Sequence, residues 1–173
     1  MKFDKNRIVA FMIFFLANLV AIAGVAQQKF EKSAFYHVMS IGDLDAIDNE
    51  ITTVQASSSN DKAGYEGALL MKKAGMMKTA IKKLEFFKAG RIKLETALLD
   101  DNDNIEFHFL RLTIEEHAPK IVRYHSDINM DKAIVQKNFK NLSPVVQKAI
   151  LDYCKNSKIL RTEDFSPRST DSF

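Results

Sequence analysis

The sequence predicts an all-α protein, built from antiparallel helical hairpins behind an N-terminal signal helix. Three observations predict it. Apolar residues recur every three or four positions in one segment after another. Clusters of Ser, Asn, Asp or Pro separate those segments. No run alternates apolar and polar residues between hairpin-turn signals, as a half-buried strand would.

The first element is a leader. Lys2, Lys5 and Arg7 precede an apolar run from Ile8 to Val25, broken by one strongly polar residue, Asn18. Small residues follow at Ala21, Ala23, Gly24 and Ala26, and then Gln27 and Gln28. A basic start, an apolar stretch and a small-x-small end describe a secretory signal peptide, with Gly24-Val25-Ala26 placing cleavage before Gln27. The run is 18 residues long and so reaches the lower limit for a membrane-spanning helix. The alternative is therefore a retained inner-membrane anchor over residues 8–25. Export predicts a domain plan of 1–26 signal peptide, 27–160 helical domain and 161–173 unstructured tail.

The chain holds 25 basic and 22 acidic residues, and the leader takes three and one of them, leaving a net +1. That near-neutral balance gives no electrostatic argument for nucleic acid. Cys154 is the only cysteine, so no disulfide forms within the chain and no metal site is built from cysteine. It lies in the apolar stretch Ile150-Leu151-Asp152-Tyr153-Cys154, where a packed, inert thiol is expected.

The predicted helices follow in order. Residues Lys29 to Met39 carry Phe30, Ala34, Tyr36 and Val38 between charges. Ser40-Ile41-Gly42-Asp43 reads as the start of a helix holding Leu44, Ile47, Ile51 and Val54, which ends in the polar loop Ala56 to Asp61. A helix over Lys62 to Ala74 contains Gly64 and Gly67, with Gly75 just beyond, a sign of close helix contact or of a break. The clearest helix runs from Met77 to Leu99, with Met77, Ile81, Leu84, Phe87, Leu94 and Leu98 as its stripe. Asp100 to Asn104 stops it and caps the next, Ile105 to His117, which Pro119 closes. Another spans Asp127 to Phe139. The last opens at Ser143-Pro144, an N-cap followed by proline at the first helical position. Arg161 to Phe173 shows no stripe, and disorder is expected there.

Gly90, Leu94, Ala97 and Asn102 resemble the small-x3-large-x2-Ala-x4-Pro spacing of the second helix of a tetratricopeptide repeat, with Asn102 in the place of proline. The passage Ile47 to Ala74 repeats a helix–loop–helix plan about 42 residues earlier, Tyr65 corresponding to Phe107. Tetratricopeptide-like hairpins and an irregular helix bundle both fit. A broader resemblance covers most of the chain after the leader. Gly67 to Ala74, Phe109-Leu110-Arg111-Leu112, Ala118-Pro119, Tyr124 and Asp131-Lys132 look like a family of uncharacterised exported proteins of Bacteroidetes, in which asparagine usually stands where this chain has His117. The resemblance implies a helical, secreted or envelope-associated protein. It carries no activity and supplies no catalytic residue.

Residue chemistry narrows the function further. There is no phosphate loop, no Gly-x-Ser-x-Gly and no Gly-x-Gly-x2-Gly, and no histidine pair has metal-ligand spacing. No catalytic, cofactor-binding or metal-ligating residue is expected, and no enzyme activity. A hydrolytic reading would need a deep polar pocket around His108, His117 or His125. His108, Arg111 and Glu115 fall on one side of their helix and read as a solvated face. Arg111 also stands among Phe109, Leu110 and Leu112, and a buried guanidinium needs an acid. Asp127 and Asp131 are its expected partners in a structural clamp.

Charge supplies the functional hint. Residues 71–94 hold Lys72, Lys73, Lys78, Lys82, Lys83, Lys88, Arg91 and Lys93 against Glu85, a net +7, and residues 95–106 follow with a net −5. A basic amphipathic helix meets an acidic partner or an anionic membrane surface, and Lys78, Lys82, Lys88 and Lys93 form the candidate interaction face. The bland reading is that the acidic loop and solvent neutralise the lysines. The expected function is that of an exported protein-binding module in the periplasm or outside the cell, with an envelope protein or peptide as partner. A peripheral or anchored membrane-structural protein is the alternative.

Overall fold

The structure is a computed structural model that describes residues 29–166; the leader, its cleavage point and the end of the tail lie outside the described residues. Its regular elements are all helical. They are α1 (Lys32–Ile41), α2 (Leu44–Ala56), α3 (Lys62–Met76), α4 (Ala80–Asp100), α5 (Ile105–His117), α6 (Ile128–Asn138) and α7 (Pro144–Cys154), with short 3-10 turns at Lys120–Val122, Phe139–Asn141 and Thr162–Phe165. No helix among the described residues is long and apolar enough to cross a membrane.

The helix ends follow local chemistry. Gly42, at φ 66°, takes the left-handed conformation that ends α1, and its N–H reaches the Val38 carbonyl. Ser40 and Ile41 therefore finish α1, and only Asp43 belongs to the start of α2, accepting the Ala46 N–H at 2.8 Å. Thr79 caps α4 through the Lys82 N–H, and Asn104 caps α5 through the Phe107 N–H. Pro144 opens α7 after Ser143, although the serine side chain makes no capping bond.

The most extensive contact joins α3 to α4. A Cβ built on Gly67 would lie 2.7 Å from the Gly90 carbonyl oxygen, and one on Gly90 would lie 2.5 Å from the Gly67 carbonyl oxygen. The two glycines thus let two backbones touch, which explains glycine inside both helices. Gly64 gives room to the Phe107 ring, whereas Gly75 faces open space.

Helix α5 is central. Its Phe107 and Leu110 join a core made with α1 to α4 and Tyr124. Its Phe109 and Leu112 join a second core with Val135, Val146, Ile150, Cys154 and Leu160. Buried between two cores, α5 has little surface left for solvent. Tyr65 and Phe107, matched in the sequence as repeat equivalents, are in edge-to-face contact at 5.6 Å.

The stripe assigned to residues 77–98 does not bury as one: Phe87, Leu94 and Leu98 are buried, but Ile81 and Leu84 are exposed. Each step of three residues falls about 60° short of a full turn, so the sequence 81, 84, 87 spirals from the outer face to the inner one. The unstructured tail also begins later than Arg161. Thr162–Phe165 forms a 3-10 turn, Phe165 packs on Phe139 at 4.5 Å, and Asp164 pairs with Lys132.

Candidate functional site

Two places concentrate chemistry: a charged centre inside the fold and the outer face of α4. In the centre, Arg111 on α5 donates from Nε to Asp131 Oδ2 and from Nη2 to Asp131 Oδ1, both at 2.8 Å, with Asp131 on α6. Its Nη1 reaches Glu95 of α4 at 3.1 Å and lies 3.9 Å from Asp127. Both acids expected from the sequence therefore face Arg111. Asp131 holds it directly, and Asp127 is a longer contact. Glu95 is a partner that sequence reasoning missed, because nothing in α4 marks one outward glutamate as turned toward α5.

His108 completes the cluster. Its Nδ1 meets Asp131 Oδ1 at 2.6 Å and its Nε2 meets the Asn102 carbonyl at 2.8 Å. Both neighbours are acceptors, so both ring nitrogens carry protons and the imidazole is charged. Burial, the largest influence, pushes its pKa down. The hydrogen bonds to Asp131 and Asn102 and the charge of Asp131 outweigh it and hold the pKa above the ordinary value. Glu115 is fully buried and accepts the Asp127 N–H. Burial, followed by the nearby Asp127 charge, raises its carboxyl to about 7. Tyr124 donates to Glu95 at 2.5 Å and closes the side toward α4.

The expected solvated face of His108, Arg111 and Glu115 is thus wrong, since all three are buried. The signal was present in the sequence. Leu112 stands on the same side of α5, which leaves no polar arc wide enough for water. Another buried acid, Glu106, accepts from Lys32 and from Tyr36 at 2.8 Å, and ties α5 to α1.

The arrangement is built to hold helices together. Nε, Nη1 and Nη2 of Arg111 each bond a carboxylate of the protein, and His108 has no exposed surface. The three histidines of interest bond three separate carbonyls: His108 to Asn102, His117 to Thr113 and His125 to Glu115. No group of three or more His, Cys, Asp or Glu among the described residues is placed to hold a metal ion. Cys154 is buried, and burial with nearby acids pushes its thiol up to about 11.

The outer face of α4 has the opposite character. Phe87, Gly90, Leu94, Ala97 and Leu98 point inward. Ile81, Ile92 and Leu99 are 79%, 67% and 84% exposed, and Leu84 is also exposed. Positions 81, 88, 92 and 99 align to within about 20° around the helix axis. They form one outward stripe of Ile81, Lys88, Ile92 and Leu99. Tyr124 stacks under the Arg91 guanidinium at 4.8 Å and against Phe87 at 5.6 Å. This contact ties the segment after the Lys120–Val122 turn to α4 through Tyr124.

The four lysines of the sequence-derived interaction face divide in two. Lys82 pairs with Glu85 at 2.8 Å and Lys93 with Glu66 at 3.0 Å. Lys78 and Lys88 are exposed and make no ion pair among the described residues. Lys73, on α3, pairs with Asp48. Of the acidic loop and solvent, the two neutralising agents expected for these lysines, the loop makes no ion pair with them: Asp100, Asp101 and Asp103 pair with none, and Lys78 and Lys88 face solvent. The charges of this face are legible in the sequence, but its apolar stripe is not, because Ile81 and Leu84 fall in the series that predicts the core side. Compared with family models, with curated proteins and with solved structures, the chain matches none.

Proposed function

We propose that this protein is an exported helical interaction module of the cell envelope that engages a protein partner through the outer face of α4. One observation carries the reading: α4 presents apolar side chains on two opposite faces, and only one of them is covered. Scattered exposed apolar residues are ordinary, but an aligned stripe flanked by unpaired lysines marks a contact surface. The charged centre supports the reading from inside. It fixes α4, α5 and α6 to one another through Glu95, Arg111 and Asp131, so the face is presented on a rigid frame. The close packing of α3 on α4 and the order of the helices favour tetratricopeptide-like hairpins as the architecture, and helical-repeat surfaces commonly act by binding. Export rests on the basic, apolar and small-residue pattern of the first 26 residues.

The lysine-rich first turns of α4, with exposed Ile81 and Leu84, give a second reading: peripheral contact with an anionic membrane. Crosslinking and affinity capture of the tagged full-length protein from its native envelope fraction tests both, with the mass of the captured protein measured alongside. One dominant protein partner, bound to a species beginning at Gln27, is the expected result. Recovery only with membranes, on a chain that retains its leader, would replace the first reading with the second.

A further inference from the structure

The stripe on α4 crosses a reversal of charge. Its first part, around Ile81, Leu84 and Ile92, lies among Lys78, Lys82, Lys88 and Arg91. Its last residue, Leu99, lies beside Asp100 and Asp101, with Asp103 just beyond. The basic segment, residues 71–94, is net +7 and the acidic one, residues 95–106, is net −5. Lys78 and Lys88 at one end, and Asp100, Asp101 and Asp103 at the other, make no ion pairs among the described residues. A uniformly acidic surface, whether a membrane or an acidic peptide, complements the first part and repels the second. The matching surface must be apolar along its middle, acidic where α4 is basic and basic where α4 is acidic.

A second copy of α4, laid antiparallel, has that pattern. We propose that the outer face of α4 is a self-association surface, on which two copies of this chain pack α4 against α4 about a two-fold axis near the middle of the helix. The proposal rests on the reading of this face as a protein-contact surface and names the occupant. In this arrangement Ile81 of one copy comes near Leu99 of the other. The lysines of the first turns then meet the aspartates after the last turn, twice over by symmetry. The helix is about 30 Å long at about 1.5 Å per residue, and the strip covers roughly 300–400 Å² per copy. That is about half of a standard interface, so the expected dimer is weak and exchanges quickly.

The test uses protein purified after expression of the whole chain. Sedimentation over a concentration series into the high micromolar range is expected to show a monomer–dimer equilibrium. Association should weaken several-fold as salt rises from about 50 to 500 mM, since the ion pairs are exposed. Lys78→Asp combined with Lys88→Asp should abolish self-association. Mixing that variant with Asp100→Lys combined with Asp101→Lys should restore a heterodimer. Direction is read from Ile81→Cys and Leu99→Cys, Cys154 being buried. An equal mixture of the two is expected to crosslink between position 81 and position 99, while neither alone crosslinks well.

A monomer at every concentration overturns the proposal, as do crosslinks joining 81 to 81 and 99 to 99, which indicate parallel packing. If the protein stays monomeric but captures a different protein through an Ile92-dependent contact, self-association fails and the contact-surface reading stands. If it is monomeric and capture does not depend on α4, both fail.

Discussion

Arg111 and Asp131 meet fork to fork, with two parallel hydrogen bonds of 2.8 Å between side chains that are both buried. Desolvating two charges is costly, and such a pair holds only because further groups satisfy what remains. Glu95 takes Nη1 of the arginine, and His108 donates to Asp131. The pair thus fixes the angle between α5 and α6, and through Glu95 it reaches α4.

Removing one partner strands the other. Arg111→Ala is expected to destabilise the protein by about 3–5 kcal/mol, because Asp131 is left buried beside a single cation. The thermal midpoint should fall by roughly 10 °C or more. Arg111→Lys should recover less than half of the loss, since an ammonium cannot make the two parallel bonds. A melting curve unchanged in Arg111→Ala would end the clamp.

Stability should fall as pH rises from about 5 to about 8. The native pKa of His108 is raised, so its stabilising contribution is complete below the ordinary value, about 6.5, and is lost as pH climbs through the native value. Glu115 is raised from 4.5 to about 7, mainly by burial. The unfolded chain therefore ionises first, and stability drops over that interval as well. Glu115→Gln should flatten the decline and raise stability at pH 8 by about 1–2 kcal/mol, with little gain at pH 5. Chemical denaturation of both proteins across this range checks the sign. A wild-type curve that rises toward pH 8 would contradict it.

The α3–α4 contact has no room for a methyl group. Gly67→Ala and Gly90→Ala should each cost about 2–3 kcal/mol, because the obstacle is backbone and cannot rotate away. Gly75→Ala meets nothing and should stabilise by about 0.5 kcal/mol through the unfolded state. Equilibrium unfolding of the three variants distinguishes close packing from mere helix weakening, which would lower all three relative to alanine alike.

Phe165 belongs to the folded domain. Its ring packs on Phe139, and Asp164 in the same turn holds Lys132 and the Arg161 N–H. Phe165→Ala should lower stability by about 1 kcal/mol, a difference that urea midpoints resolve. No change would return the segment after Leu160 to the status of a tail.

The sequence made the helices legible wherever a local signal ends them. Asp43, Asn104 and the Ser143-Pro144 pair mark starts that rest on chemistry within one turn. Ile105–His117 was readable to the residue. The partners of Arg111 were readable from a physical requirement, since a guanidinium among Phe109, Leu110 and Leu112 needs an acid nearby. Burial was harder to read. Periodicity assumes one wet face per helix, and α5 has none because a second core closes over it. The same assumption hid the outer stripe of α4, where apolar residues on opposite faces blur into one apparent periodic series. Glu95 was illegible for a related reason: its role depends on how α4 crosses α5, which no single helix encodes.

The most direct measurement is capture from the native envelope fraction with the double variant Ile92→Glu, Leu99→Glu beside the wild type. Both positions are exposed, so the variant should melt within a few degrees of the wild type. Loss of the captured partner from a variant that remains folded is the predicted result. Undiminished capture by the folded variant would contradict the account, and would move the contact surface away from α4.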